Sequence, residues 1–567
     1  MKNRIIPVLV AVLLIVGILS GCTGSTTQST SAGTTKATTT AATTAGMQKE
    51  QAADGTEFYS TGLPIVDKSQ NVTFSIMGVT TATDPNKFPM IMKYTEDTGI
   101  NFEWILVSQD GLAERKSLMW ASTEYPDILG PSVVAESDFE TYAPQGLILP
   151  LNELFDKYIP NLVKICGAED AAKYLSALTY SDGNIYTFPT IIPYFYCDPS
   201  VPDINVVWLE KLSLEVPTTV EEFENVLRAF KNDDPNGNGK KDEIPLTTQT
   251  WGGAIKNLFA FAGWTGVLTG NLYVENDEVK WPLIDDECKT GVQWMAKLWD
   301  EGLIDIEVFT QGDDVLRPKA QSDPYVLGVA ANFAESYFFG FDRFTEYFPM
   351  EPIADANGVK RWIGRYSPDL IMNQWALTKA CTAPEIVARL VDYLYTPEIG
   401  IQSDQGPIGY TYEVRDDGLL QPILPEGYAT LTEWMNTNQF QQVPRLNYKG
   451  CMSDLVYTDK SLEGILTPGR FTIEQSDAGL EIRVHDSIMG KYCLGFPSLK
   501  ASPDEIQIKT DYLTNVEKYY KETLAQFVTG QKDIDEEWDT YVSQMKSLGY
   551  DTILEMYKNQ YKRFIGN

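Results

Sequence analysis

The stretch DPNGNGKKDEIP, Asp234 to Pro245, crowds carboxylates, side-chain amides and glycines into a dozen residues. That is the oxygen-rich donor set a hard cation such as calcium takes. With Asp234 as position 1, side-chain oxygens fall at 1, 3, 5 and 9 from Asp234, Asn236, Asn238 and Asp242. Gly239 stands at 6, and Lys240 offers its carbonyl at 7. Up to there the spacing is that of an EF-hand loop. It departs at position 12, where Pro245 replaces the bidentate glutamate; Glu243 at position 10 is the nearest substitute. The residues after the loop read as a strand, so no second helix is present to swing open. A static structural calcium is favoured over a calcium switch, with a plain Asn-Gly turn bearing surface charges as the competing reading.

Catalytic patterns find little support. His485 is the single histidine, which excludes an H-E-x-x-H metal site, and no G-x-S-x-G nucleophile motif accompanies it. No phosphate-binding G-x-x-x-x-G-K-[ST] or strand-anchored G-x-G-x-x-G is present. The 78 acidic residues supply too many carboxylate pairs for any one to mark a glycosidase. The expectation is a binding protein and not an enzyme.

The amino terminus gives an address. Lys2 and Arg4 precede an apolar run from Ile5 to Ser20 that stops at Leu19-Ser20-Gly21-Cys22. This is a secretory signal ending in a lipobox, whose Cys22 thiol would receive a diacylglycerol and anchor the chain on the outer face of the cell membrane. Residues 23–56, nearly all Thr, Ser, Ala and Gly at their start, read as a disordered tether, with structure expected from Glu57 to Val66 onward.

The charge is −33, and losing Lys2 and Arg4 with the signal makes the mature chain two units more negative. Such a field repels nucleic acid. Six further cysteines, Cys166, Cys197, Cys288, Cys381, Cys451 and Cys493, form no C-x-x-C pair, and their pairing is left open.

The elements that must position the loop alternate. VTFSIMGV reads as a strand, NKFPMIMKYTEDTGI as a helix closed by Gly99, NFEWILVS as a strand, and Asp127-Ile128-Leu129 as a third. This is the pattern of an α/β lobe with a mostly parallel sheet. After a Pro- and Tyr-rich crossover, Thr219 to Lys231 is predicted to be helical. Its start carries two capping boxes, Thr218 with Glu221 and Thr219 with Glu222, and Phe223, Val226, Leu227 and Phe230 face inward. IPLTTQ, GVQWMAKLWDEG and YVLGVAAN continue a second lobe. Thr382 with Glu385 is expected to cap a helix that buries Ile386, Leu390, Val391 and Leu394 back on the first lobe. The last 60 residues are helical, with Trp538, Tyr541, Val542, Met545 and Leu548 on one face. The predicted fold is α/β and two-lobed, with a hinge, a ligand cleft and a helical C-terminal segment.

Several segments in order carry a resemblance: the lipobox, YPDIL, GLILPLNELFDKYIPNL, DGNIYTFP, the loop with its flanking helix and strand, LWDEGLID, APEIVARLVDYLYTPE, GPIGYTYEV and FVTGQKDIDEEWDTYVSQMKSLGYDTI. Together they resemble the extracellular solute-binding lipoproteins of carbohydrate ABC importers, family 1 type. The likeness is to the large calcium-loop branch that includes alginate-oligosaccharide-binding proteins. The resemblance implies a periplasmic-binding-protein-like fold divided as signal 1–22, tether 23–56, first lobe 57–200, second lobe 201–365, return to the first lobe 366–430, and a hinge crossing with C-terminal helices, 431–567, mainly on the second lobe. It implies a structural calcium held by Asp234, Asn236, Asn238, Lys240 through its carbonyl, Asp242 and Glu243, away from the sugar. It also implies an oligosaccharide ligand, a permease partner and a monomer.

Sugar rings stack on indole and phenol faces, which singles out Trp251, Trp264, Tyr337 and Trp375 near expected cleft loops, although core packing competes for each. A carbohydrate hydrolase and a ligand-sensing lipoprotein are the alternative functions.

Overall fold

The computed structural model describes residues 47–79, 84–108, 110–192, 202–248, 272–331, 369–396 and 493–566, with short pieces between 338 and 429. Cys22, Trp251, Trp264 and Tyr337 lie outside the described residues.

A five-stranded sheet organises the first lobe, in the order Asn101–Val107, Thr73–Val79, Ile128–Leu129, Asp369–Leu377, Phe188–Ile192. The first three strands run parallel, linked by helices Pro89–Thr98 and Leu112–Ala121. The first of these helices opens on a proline and ends at Gly99, whose φ of 79° is the left-handed cap glycine adopts without strain. A Cβ there would also strike the Val66 carbonyl. Asp127 fixes the start of the third strand by accepting from the Ser75 backbone at 2.8 Å and the Ser75 hydroxyl at 2.7 Å.

Strand Asp369–Leu377 enters antiparallel to both its neighbours, so the sheet is mixed and not mostly parallel. Helix Pro384–Leu394 then buries Ile386, Leu390, Val391 and Leu394 against Phe155, Phe188 and Trp375. Its predicted cap is not made. The cap position is Ala383, while the Thr382 hydroxyl donates to Asp54 at 3.0 Å and Glu385 accepts from the Ala53 backbone at 3.2 Å. Both side chains instead hold a hairpin, Lys49–Gln51 with Glu57–Tyr59, so regular structure begins inside the stretch expected to be a tether.

The second lobe is built on strands in the order Tyr347–Pro349, Pro202–Asn205, Leu327–Ala331, Ile244–Thr248, and only the last pair is parallel. Helix Val220–Asn232 sends Phe223, Val226, Leu227 and Phe230 into its core. Burial of each contributes roughly 1.5–3 kcal/mol of transfer free energy. The same core receives Tyr520, Leu524, Phe527, Trp538, Tyr541, Met545, Ile553 and Met556 from helices Thr514–Val528, Ile534–Ser547 and Tyr550–Phe564. The C-terminal helices are therefore part of the second lobe's interior. Cys288 and Cys381 are buried thiols.

Candidate functional site

The oxygen-rich loop lies between helix Val220–Asn232 and strand Ile244–Thr248. Of the two possible capping boxes, the helix uses Thr219 with Glu222, and Thr218 also donates its hydroxyl to Glu222 at 2.8 Å. The helix thus has a fixed start, and the chain leaves its end directly into the loop.

Within the loop the backbone folds around its own side chains. Asp234 accepts from the backbone N–H of Asn238 at 3.1 Å and of Gly239 at 3.0 Å, and Asn238 accepts from that of Lys240 at 2.7 Å. Gly239, with φ of 74°, makes the sharp turn that position 6 requires. Asn236 and Asn238 turn their amides onto the Asp242 carboxylate at 2.9 and 3.0 Å. The bond from Asn236 leads the groups that hold the Asp242 carboxyl below its ordinary range.

Glu243 completes the test of fit. Its Oε1 is buried and has no hydrogen-bond partner. Burial, with Asp242 and Asp234 alongside, pushes this carboxyl above its ordinary range. A desolvated carboxylate oxygen beside two other carboxylates is an environment that a divalent cation relieves. Among the described residues no group of three or more His, Cys, Asp or Glu is placed to hold a metal ion by itself, so the loop depends on its amide and carbonyl oxygens to complete a donor set. The mixed donor set here suits calcium.

The loop also stands far from where ligand is expected. It feeds the amino end of strand Ile244–Thr248, and in open α/β sheets ligands lie beyond the carboxyl ends. The five-residue strand separates the two by about 15 Å. At the carboxyl end a buried network is set: Thr247 donates to Asp305 at 2.9 Å, Gln311 to Thr247 and to the Thr248 carbonyl at 2.8 Å, and Lys319 to Asp305 at 2.7 Å and Gln311 at 2.9 Å. Sequence reading missed this network, because its members are spread over more than seventy residues and share no motif.

Of the aromatic candidates, only Trp375 falls on described residues. It is 4% exposed and packs in the first lobe's core, beside the register shift between Ile371 and Trp375. The indole is enclosed by that core in this structure.

With this geometry in place, comparison with known proteins is informative. A family described as a domain of unknown function, DUF3502, matches residues 497–566. Over 524 residues the chain is 26% identical to the fructooligosaccharide ABC transporter substrate-binding protein FusA of Streptococcus pneumoniae serotype 4, covering 85% of this chain and 88% of that protein. Lipoprotein LipO of Bacillus subtilis is 32% identical over 130 residues, 22% of this chain and 24% of LipO.

FusA has been solved in complex with kestose and, as an EF-hand mutant, with fructo-nystose. Each structure superposes with a TM-score of 0.69 at 24% identity over 88% of this chain and 100% of that one. The alginate-binding protein AlgQ2, in a form without calcium ion, gives 0.64 at 22% identity over 89% of this chain and 99% of that one. Two lobes, mixed sheets and the order of elements therefore agree with one architecture, and the chain shares its fold with these substrate-binding proteins.

Proposed function

We propose that this protein is an extracellular receptor, lipid-anchored through Cys22, that closes its two lobes on an oligosaccharide and presents it to the permease of an ABC importer. The observation that carries the reading is the similarity to FusA across nearly the whole length of both chains. Oligosaccharides built on fructose, kestose first, are the cargo to try before others. The receptor acts as a monomer that binds and releases its ligand unchanged and has no business with nucleic acid.

Calcium has a structural part in this reading. Asp234, Asn236, Asn238, Asp242, Glu243 and the Lys240 carbonyl hold it, and the ion fastens helix Val220–Asn232 to strand Ile244–Thr248. Trp251, Trp264 and Tyr337 are the stacking candidates for the sugar. The test is a thermal-shift screen of the protein in calcium against kestose, nystose, alginate oligosaccharides and maltooligosaccharides, followed by chromatography of the glycans. A rise in melting temperature with one class and no products is the expected result. Consumption of the glycan would replace this reading with the hydrolase, and no shift with any glycan would favour the sensor.

A further inference from the structure

The C-terminal region, 497–566, matches a family description that assigns it no function. Its three long helices fill the second lobe, yet its first residues do something else. Strand Cys493–Leu494 pairs with Trp362–Ile363, and the Gly495 carbonyl accepts from Val274, in a hairpin whose Tyr273 belongs to the second lobe's core. Phe496 lies edge-on to Tyr557 with ring centres 5.6 Å apart, again in the second lobe.

A few residues later the chain is in the first lobe. Lys500 donates to the Asn373 side-chain oxygen at 2.5 Å, and its ammonium sits over the rings of Tyr180 at 4.8 Å and Phe139 at 5.5 Å. The next backbone N–H, on Ala501, donates to Glu136 at 3.0 Å, and the Ala501 side chain is buried. Asn373 is suited to receive the lysine because it stands in the bulge between Ile371 and Trp375 with φ of 57°. Then the chain returns. Ser502 and Glu505 form a capping box on helix Pro503–Ile508, and Glu505 is tied to Arg563 at 2.6 Å and to Gln560 at 3.1 Å.

Both ends of this segment are thus fixed in the second lobe, and its tip is fixed in the first. A simple hinge crossing has one end in each lobe; this one goes out and comes back. We infer that residues 495–502 are a hook by which the C-terminal region grips the first lobe, with Lys500 as the tip, and that this grip sets the angle between the lobes when no ligand is bound. The chemistry of the socket is cationic recognition, since two aromatic faces and the nearby Glu136 and Glu140 surround the ammonium. Burial pushes Lys500 down to about 8, against the opposing pull of those two glutamates. The tip is therefore an enclosed charge held by specific partners, unlike a solvated surface lysine. A clamp of this kind would lower the cost of closing on a ligand by limiting how far the lobes open.

The test reads the lobe angle directly and needs no ligand. Donor and acceptor dyes are attached to the full chain through azide-bearing residues introduced at Leu118 and Ile306, which are 57% and 81% exposed and lie one in each lobe. Single-molecule energy transfer then gives the interlobe distance distribution. Lys500→Met, which keeps the stem and removes the charge, is expected to broaden the distribution and shift it towards longer distances. Asn373→Gly, which keeps the left-handed backbone and removes the acceptor, should shift it less in the same sense. Lys532→Met, at a surface pair with Glu537, should leave it unchanged. If Lys500→Met fails to fold, Asn373→Gly decides the matter. A folded Asn373→Gly or Lys500→Met protein with the parent distribution overturns the inference.

Discussion

Each lobe buries a charged network, and the two networks have opposite electrostatic outcomes. In the first lobe Arg389 and Asp392, on the same helix, are 5% and 3% exposed. Arg389 donates to Asp392 at 2.8 Å and to the Tyr59 and Gly62 carbonyls, while Asn161 donates to Asp392 from both its backbone and its side chain. In the second lobe Glu224 is 7% exposed, but its partners Arg228 and Lys297 extend to solvent; they donate to it at 2.9 and 2.7 Å, beside Trp294 Nε1 at 3.2 Å.

Burial opposes ionisation of both carboxyls. For Asp392 it prevails over Asn161 and Arg389, and the group is held above its ordinary range. For Glu224 the bonds from Lys297 and Arg228 outweigh it, and the group is held below. The same pairing of charges therefore serves as a joint between distant segments in one lobe and as a stabilising clasp between two helices in the other. What differs is the solvation of the cation: a buried cation has its own desolvation to offset, and a half-exposed one does not.

The largest test of this contrast is Asp392→Ala, which leaves the Arg389 guanidinium buried without its partner. The expected loss is about 3–5 kcal/mol, read by denaturant unfolding. Peptides of helix Pro384–Leu394 and of the hairpin at Lys49–Tyr59 should lose hydrogen-exchange protection first. A loss under about 1 kcal/mol would remove the distinction between the lobes.

Calcium removal should act on the second lobe alone. At a free calcium concentration 100 times the dissociation constant, chelation is expected to cost about 2.7 kcal/mol. Exchange should rise in helix Val220–Asn232 and strand Ile244–Thr248 while the first lobe is unchanged. Affinity for sugar should persist on protein that is still folded, and a chelator that abolished it there would place the ion in the cleft.

Glu224→Gln should cost about 2 kcal/mol at neutral pH, since charged hydrogen bonds are lost and the shape is kept. The sign of its pH dependence follows from the lowered carboxyl. Its stabilisation is full above the ordinary value of 4.5 and is lost as pH falls through the folded value. The gap between parent and variant should therefore close below about pH 4.5, and a gap that widened in acid would be the wrong sign.

The smallest effects compare two threonines with the same sequence signature. Thr219→Ala removes a true cap and should cost about 1 kcal/mol. Thr382→Ala removes an exposed bond to the hairpin and should cost a few tenths of that. Equal losses in thermal unfolding would mean that Thr382 caps its helix in solution after all.

These contrasts show what local sequence could and could not say. Helix Val220–Asn232, its Thr219 and Glu222 cap, its four inward apolar residues and the loop after it were all legible, because each depends on spacing along one continuous stretch. The helical face of Trp538, Tyr541 and Met545 was legible for the same reason. Thr382 and Glu385 carry the same capping signature and do not use it, since a hairpin more than 300 residues away supplies better partners. A sequence motif cannot register a competitor that folding brings from elsewhere.

Strand direction was likewise hidden. Alternation identifies a strand but is indifferent to which way it enters a sheet, and the strands adjoining lobe crossings run against the parallel expectation. Trp375 looked like a stacking residue because it follows a crossing, and only its neighbours place it in the core. The sequence by itself determined the periodic elements, the Thr219 cap, the calcium-type loop and the two-lobed class, all of which rest on local spacing and composition. The tertiary structure alone decided which buried charges are joints and which are clasps, how strands run across the lobes, and that Lys500 reaches from one lobe's chain into the other. Those depend on desolvation and on contacts between segments hundreds of residues apart.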